Sequence, residues 1–327
     1  MEEEVVRRRK WLTHEGLLDL LGATNLIPGP NSTELALHIG HVRAGLRGMF
    51  VAGFCFIMPA ALMTGALGWA YVTYGKLPIT ASFLWGVKPV VVAIVAHALA
   101  TMAPKSAKTW PLRILGVAAA VAAFAGVNEL AVLLACGVLA ALGKRTKVLA
   151  AADPSLLSIF LFFAKVGSIL FGSGYVLLAF LRADLVDRWH WLTEGELLDG
   201  IAVGQITPGP VFTAATFIGY LLAGPKGAAV ATAGIFLPSF FFVAISGRLV
   251  PILRRSPSAG AFLDGVVVAS LALMAVVSIA IARAAIVDVG TALVALVSLA
   301  LLLRTKVSSV LLVLGGATLG VVVSLLR

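Results

Sequence analysis

Long apolar runs are the feature that most limits what this chain can fold into. Runs of mostly apolar residues include Phe160–Leu181, Ala261–Ala282 and Val307–Leu326. Each is close to the roughly 20 residues that a helix needs to cross a hydrocarbon core of about 30 Å. Only 12% of the residues are charged, against about 25% in a soluble domain. The sequence therefore predicts an all-α, polytopic membrane protein.

The net charge of +10 would suggest a nucleic-acid partner in a soluble protein. Here the basic residues lie between the apolar runs, where they orient the protein in the membrane by the positive-inside rule. No nucleic-acid partner is therefore expected. Met1–Lys10 is charged and no apolar run follows it, so it is not a signal peptide. Cys55 and Cys136 are lone cysteines in apolar segments and predict neither a disulfide framework nor a metal site.

The chain repeats itself at a spacing of 180 residues, which becomes 179 after a one-residue slip. A shared series of this length indicates a tandem duplication. We assign residues 1–150 to the first copy and residues 151–327 to the second. The matching positions are Leu12-Thr13 with Leu192-Thr193, Leu17-Leu18-Asp19 with Leu197-Leu198-Asp199, Pro28-Gly29-Pro30 with Pro208-Gly209-Pro210, Ile39-Gly40 with Ile218-Gly219, Gly45 with Gly224, Gly48 with Gly227, Pro59 with Pro238, and Phe83-Leu84 and Gly86 with Phe262-Leu263 and Gly265.

The predicted helical segments differ by one between the two copies. The segment 155–181 has no counterpart in the first copy, where its partner would lie upstream of Met1. Either the first copy has lost this helix or the chain starts late, at an internal methionine; we favour the late start. The predicted segments are 13–42 (broken at Pro28–Pro30), 46–74, 81–103, 110–126 and 128–143 in the first copy, and 155–181, 192–222 (broken at Pro208–Pro210), 226–249, 260–283, 285–303 and 307–326 in the second.

The charges between the segments predict how the copies are oriented. If each broken segment is re-entrant, entering and leaving the membrane on one face, seventeen Lys and Arg residues fall on that face and six on the other. If the broken segments crossed fully, the basic residues of the first copy would scatter over both faces. The re-entrant arrangement therefore predicts two inverted repeats, a common transporter design, with the basic face cytoplasmic.

The two Pro-Gly-Pro breaks are the strongest candidates for a binding site. An interior proline costs a helix about 3 kcal/mol, and a break within a membrane is tolerated only inside protein or beside a watery cavity. The helix that begins after each break offers unpaired N–H groups and the positive end of its dipole, which together favour an anion. A pair of structural kinks is the alternative. Candidate ligands are Asn25, Pro28, Gly29, Pro30, Asn31, Ser32 and Thr33 in the first copy and Gln205, Thr207, Pro208, Gly209, Pro210, Thr213 and Thr216 in the second.

Two charged residues inside the apolar segments are further candidates. Lys165 is predicted to bind an anion or to balance charge, because cations within the membrane are costly. It precedes Gly172, Ser173 and Gly174, where the backbone can approach a ligand closely. Glu34 follows Thr33 and is a candidate carrier of a coupling proton; pairing with a lysine is the alternative.

Sequence motifs of enzymes are missing from the chain. We find no Gly-x-Ser-x-Gly elbow, His-Glu-x-x-His, Walker loop or Cys-x-x-Cys. The chain is therefore not predicted to be an enzyme, and no cofactor or metal is expected. Without a nucleotide-binding motif, primary active transport by this chain alone is not expected either.

At these same residues the sequence resembles the chromate ion transporter family, over nearly the whole chain. The resemblance implies a bacterial inner-membrane carrier that exports chromate and confers chromate resistance, energised by the membrane potential or by protons, with sulfate as a related anion. Members also carry a Phe-Gly-Gly-Pro motif on a first helix that this sequence lacks. The matching stretches are Asn25-Leu26-Ile27-Pro28-Gly29-Pro30-Asn31-Ser32-Thr33-Glu34, Phe171-Gly172-Ser173-Gly174-Tyr175 and Gly204-Gln205-Ile206-Thr207-Pro208-Gly209-Pro210.

The resulting hypothesis is a carrier in which the two re-entrant helix ends meet near the membrane midplane and bind a dianion between them. The inverted halves would rock to alternate access. Expected partners are a chromate or sulfate oxyanion, membrane lipid and a second copy in a homodimer. The alternatives are a sulfate or other oxyanion carrier without a role in chromate resistance, an anion channel, and a membrane subunit that needs a partner to supply the missing helix.

Overall fold

The computed structural model describes residues 3–24, 27–75, 78–106, 110–124, 154–170, 177–255, 257–305 and 307–326. All regular elements within these ranges are helical, which confirms the predicted all-α class. Short π-helical segments span Glu3–Arg8 and Arg182–Arg188, and a 3₁₀ turn spans Val211–Thr213. The α-helices in chain order are α1 His14–Thr24, α2 Asn31–Tyr74, α3 Pro78–Ser106, α4 Trp110–Phe124, α5 Leu156–Ile169, α6 Leu177–Leu181, α7 Glu194–Ile206, α8 Ala214–Arg255, α9 Pro257–Ala285, α10 Val289–Arg304 and α11 Ser309–Leu325.

Four stretches of the described chain are long and apolar enough to cross a membrane: Asn31–Tyr74, Ser82–Pro104, Val211–Ser246 and Gly265–Ala285. Their outward faces carry large apolar side chains, including Phe54 and Leu62 of α2, which are 63% and 66% exposed. Such a surface would be unfavourable in water, but lipid covers it readily. The fold is that of a polytopic membrane protein, as predicted.

The backbone itself repeats at the spacing found in the sequence. Lys10 and His190 both have positive φ, at 51° and 53°. Gly29 and Gly209, at the centres of the two Pro-Gly-Pro breaks, have φ of 139° and 145°. The same unusual conformations at positions 180 residues apart show that both copies fold by the same local rules.

A sharp bend divides each of the two longest helices. In α2 it falls at Ala44 and Gly45, where Gly45 has φ 57° and ψ −147°. In α8 it falls at Ala223 and Gly224, where Gly224 has φ 58° and ψ −150°. Beside each bend the two arms of the helix cross at glycines whose backbones touch. These glycines are Gly40 with Gly48 and Gly219 with Gly227.

Helices α2 and α8, equivalent in the two copies, pack against each other in opposite directions. The ring of Phe50 in α2 stacks on that of Phe240 in α8, with centroids 5.3 Å apart. Toward the other end of α2, Tyr71 meets Phe217 edge to face at 5.3 Å. Residue numbers therefore rise along one helix while they fall along the other. This antiparallel packing agrees with the predicted inversion of the second copy.

The remaining helices interlock in a reciprocal way. Helix α3 of the first copy packs against α10 and α11 of the second, and α9, the equivalent of α3, packs against α4 of the first. At the α3–α11 crossing the backbones of Gly86 and Gly316 touch. Small residues allow such close approach of helices in a membrane. Helices of each copy thus pack against helices of the other copy.

The prediction of one continuous helix over residues 155–181 is wrong. Helix α5 ends at Ile169, and Leu170 is extended, with φ −79° and ψ 109°. The carbonyl oxygen of Leu170 accepts a hydrogen bond from the amide of Gly29 at 2.7 Å. The backbone of Leu170 therefore pairs with the first Pro-Gly-Pro break instead of continuing the helix.

The other predicted spans agree with the structure to within a few residues, and the bend at Ala44 and Gly45 separates 13–42 from 46–74 as expected. The predicted segment 128–143 and the boundary at 150/151 lie outside the described residues. Helix α5 packs closely on α8, where Gly167 contacts the backbone of Ile235 and Gly234 contacts Phe163. The first copy holds no equivalent of α5 among its described residues.

Candidate binding site at the two helix breaks

The first break lies in the protein interior and is surrounded by oxygen atoms. Pro28, Gly29 and Pro30 are all buried. A side chain at Gly29 would collide with the carboxyl group of Glu34 and would lie 2.6 Å from the hydroxyl of Ser239, in α8 of the other copy. Only glycine fits here, since φ of 139° is also a conformation that other residues rarely adopt.

The second break has the same backbone, but Pro208 and Gly209 are exposed and only Pro210 is buried. A side chain at Gly209 would lie 2.5 Å from the Cβ of Ala60 in α2. Ala60 is the equivalent of Ser239 at the 179-residue spacing, so each break rests on the same position of the opposite copy. The oxygen-rich contact at one break corresponds to a methyl group at the other.

Both breaks are helical hairpins, with the two arms folded back on each other. In the second copy Gly204 of α7 contacts Ala214, and Gly200 contacts Ile218, both in α8. In the first copy Leu17 of α1 and Ile39 of α2 belong to one buried apolar cluster. The two arms of each broken segment therefore run side by side.

The contacts of the two hairpins bring the breaks close together. Gly53 of α2 lies against the ring of Phe240, which follows Ser239 at the first break. Ala60 at the second break is seven residues further along α2, a rise of about 10 Å. The points at which the two breaks contact the α2–α8 pair are thus offset by about 10 Å along α2.

The predicted hydroxyl and amide ligands divide into two groups. Thr207 and Thr213 donate to backbone carbonyls of their own turns, and Thr216 shares a hydrogen bond of 2.8 Å with Thr232. The hydroxyl of Thr33 and the side-chain nitrogen of Gln205 are buried and have no partner among the described residues. These last two groups have unused hydrogen-bonding capacity, which is costly for a buried polar group.

The remaining predicted ligands of the breaks differ in their exposure. Asn31 is half-buried and Ser32 is exposed at the start of α2, while Pro208 is exposed and Pro210 is buried. Asn25, Gly172, Ser173 and Gly174 lie outside the described residues. Leu170, which directly precedes the glycine-rich stretch, hydrogen-bonds to Gly29. The chain therefore enters that stretch from the first break.

Lys165 is already engaged with an acidic residue. Its ammonium group donates to the carboxylate of Asp184 at 2.7 Å, and Arg188 lies 3.5 Å from the other oxygen of that carboxylate. Asp184 was not named from the sequence. It is buried in the π-helical segment that follows α6, so this ion pair already supplies part of the charge balance predicted for Lys165.

A second buried ion pair also went unnamed in the sequence. Lys88 of α3 lies 3.1 Å from the carboxylate of Asp199 in α7, which is 3% exposed. The hydroxyl of Tyr71, at the end of α2, donates to the same carboxylate at 2.7 Å. These three residues tie the second hairpin to two helices of the first copy.

A polytopic membrane protein of two interlocked copies, with a Pro-Gly-Pro break in a helical hairpin of each, has the architecture of a secondary transporter. The sequence model of the family described as "Chromate transporter" matches this chain twice, over residues 1–141 and 157–321. The chain belongs to the chromate transporter family.

Curated relatives carry names that agree with this assignment. The chain is 35% identical to the chromate transport protein of Cupriavidus metallidurans over 83% of this chain and 74% of that protein. It is 31% identical to the probable chromate transport protein of Synechococcus elongatus over 84% and 76%, and 29% identical to the chromate transport protein of Pseudomonas aeruginosa over 85% and 74%. All three are named as transport proteins rather than enzymes. No solved structure matches the chain.

Proposed function

We propose that this protein is a secondary transporter of chromate, with its substrate bound between the two Pro-Gly-Pro breaks. The observation that carries the proposal is the paired placement of the breaks. Each rests on the long helix of the opposite copy, at Ser239 or at Ala60. A dianion held between them would receive N–H groups and the positive dipole ends from both copies at once.

The side chains around the breaks are suited to bind an anion through neutral polar groups rather than through a cluster of cationic side chains. Thr33 and Gln205 keep buried polar groups for it, and the N–H groups of the first turns of the new helices add donors. Lys165 lies in α5, and Leu170, which follows that helix, hydrogen-bonds to the first break. Lys165 would supply long-range positive charge, although Asp184 offsets it. Oriented dipoles would thus hold the anion, without a bidentate arginine clamp.

The transport cycle we propose follows from the fold. Because α2 and α8 are equivalent and antiparallel, two conformations related by exchanging the roles of the copies would open the site to opposite faces. We further propose re-entry of both hairpins, the bacterial inner membrane as location, export as direction, and sulfate as a competing anion. Energy would come from the membrane potential or from an ion bound at Glu34. A homodimer stays a prediction.

Uptake of chromate into everted membrane vesicles tests the proposal. We expect saturable uptake that sulfate inhibits, and a loss of more than tenfold when Thr33→Val and Gln205→Leu are combined. Ser298→Ala in α10, a buried position on another helix, is the matched control and should retain uptake. Uptake that rises linearly with chromate concentration would indicate an anion channel, and no uptake by the unmodified chain would contradict the proposal.

A further inference from the structure

The two breaks differ at two positions, and both differences fall on one side. Near Gly29 stand Glu34 and Ser239. At the 180-residue spacing that holds through Pro30, Glu34 corresponds to Ala214, and at the 179-residue spacing Ser239 corresponds to Ala60. One polar residue comes from each copy, yet both meet at the first break; at the second break only Ala60 contacts Gly209, while Ala214 contacts Gly204 in the other arm of the hairpin.

The oxygen atoms at the first break have no partners. Glu34 and Ser239 are both 0% exposed. The two carboxylate oxygens of Glu34 and the hydroxyl of Ser239 have no hydrogen-bond partner among the described residues. Burying such groups without compensation costs several kcal/mol, and the second break shows that alanine suffices for the fold. The oxygens are therefore retained for a ligand.

The arrangement of these oxygens suits a cation. The side chains of Glu34 and Ser239 approach the same point of Gly29 without hydrogen-bonding each other, so the oxygens of both can bind one ion. Hard cations take oxygen ligands, and divalent ones need more than one carboxylate or keep several waters. A fully buried site with one carboxylate suits a monovalent ion, and unwound backbone at a broken helix commonly adds carbonyl ligands for sodium.

We propose that Glu34 and Ser239 form a sodium site at the first break, with backbone carbonyls of the break completing it. The inference rests on the proposed function, because the ion would neutralise a carboxylate that otherwise repels the dianion beside it. Sodium and chromate would then bind in a mutually favourable way. Only the first copy would carry the ion, because the position of Ser239 is Ala60 at the second break.

Binding of ²²Na⁺ to the purified full-length protein in detergent, without chromate, tests the site separately from transport. We expect saturable binding that unlabelled sodium displaces and choline does not. Glu34→Gln should abolish sodium binding. Ser239→Ala, which removes one ligand of the ion, should raise the Kd for sodium by about tenfold. Ser246→Ala removes another buried hydroxyl of α8, one that donates to the carbonyl of Val243, and should leave binding unchanged.

The double variant Glu34→Ala/Ser239→Ala guards against misfolding, since the second copy has alanine at the position of Glu34 (Ala214) and the first copy has alanine at the position of Ser239 (Ala60). It should purify as the unmodified protein does and bind no ²²Na⁺. Absence of saturable ²²Na⁺ binding by the unmodified protein, or binding that survives in the double variant, would overturn the sodium site. Unchanged chromate uptake in the complete absence of sodium would do so too, while leaving the proposed carrier intact; failure of uptake under every gradient would instead contradict the carrier.

Discussion

Around Gly29 the neighbours are a carboxyl group and a hydroxyl, whereas around Gly209 the corresponding neighbour is the methyl group of Ala60. The backbone is the same at both places, with φ of 139° and 145°. Duplication has thus kept the break as a structural device in both copies and placed additional chemistry in only one. A shared backbone with unequal side chains is what an asymmetric task, such as binding one ion per anion, requires of a symmetric scaffold.

The ion pairs show a similar asymmetry in the opposite direction. Asp199 of the second hairpin is buried against Lys88 and Tyr71. Its equivalent in the first hairpin, Asp19, is exposed, and the position equivalent to Lys88 holds Val267. The second hairpin is therefore tied to the helices of the opposite copy by charge. We infer that the first hairpin carries ligand chemistry while the second provides a firmer support.

The largest effect should come from adding a methyl group at the centre of either break. We expect Gly29→Ala and Gly209→Ala each to reduce chromate uptake by more than tenfold, because the side chain would meet Glu34 and Ser239 or Ala60 in a conformation that costs about 1–3 kcal/mol. Gly315→Ala in α11, where nothing lies within 4 Å, is the control. Equal uptake by all three variants would contradict the assignment of both breaks to the site.

A smaller effect should follow from breaking the buried ion pair of the second copy. Lys88→Ala leaves Asp199 buried without its cation and should lower the free energy of unfolding by about 3–5 kcal/mol. Asp19→Asn, at the exposed equivalent, should change it by less than about 1 kcal/mol. Thermal unfolding in detergent measures both. Similar shifts for the two variants would remove the asymmetry between the hairpins.

The double variant Lys88→Met/Asp199→Leu sharpens this comparison. Replacing both members of a buried pair with apolar residues of similar volume is often nearly neutral. We expect it to recover most of the stability lost in Lys88→Ala, although Tyr71 loses its acceptor. If the double variant is less stable than Lys88→Ala, the ion pair stabilises the fold by more than the neutralisation of two buried charges.

The smallest effect should come from a hydroxyl at the second break that already has a partner. Thr216→Val removes its hydrogen bond to Thr232 and should cost about 1 kcal/mol of stability, with less than a threefold change in chromate uptake. Thr33→Val, at the first break, should reduce uptake more than it reduces stability. The reverse order would indicate that Thr216, and not Thr33, contacts the ligand.

The sequence predicted the features that depend on local backbone. Proline and glycine mark the breaks, and the repeat spacing predicted that both copies bend alike, as Gly45 and Gly224 confirm. It could not predict which side chains meet across the fold. Ser239 is an isolated serine in an apolar helix, and its contact with Gly29 arises only when α8 packs against the other copy.

The partners of the two lysines were hidden for related reasons. Asp184 follows Lys165 by 19 residues, and a continuous helix over 155–181 would carry the two far apart. The chain turns back because α5 ends at Ile169. Lys88 and Asp199 are separated by more than a hundred residues, and only the reciprocal packing of the copies brings them together.

Locating chromate in a crystal of the full-length protein, by the anomalous scattering of chromium, tests the central claim most directly. The account predicts one chromium position between Pro28–Pro30 and Pro208–Pro210, within hydrogen-bonding distance of amide groups from both copies. A chromium position that contacts only one break, or that lies away from both, would contradict it.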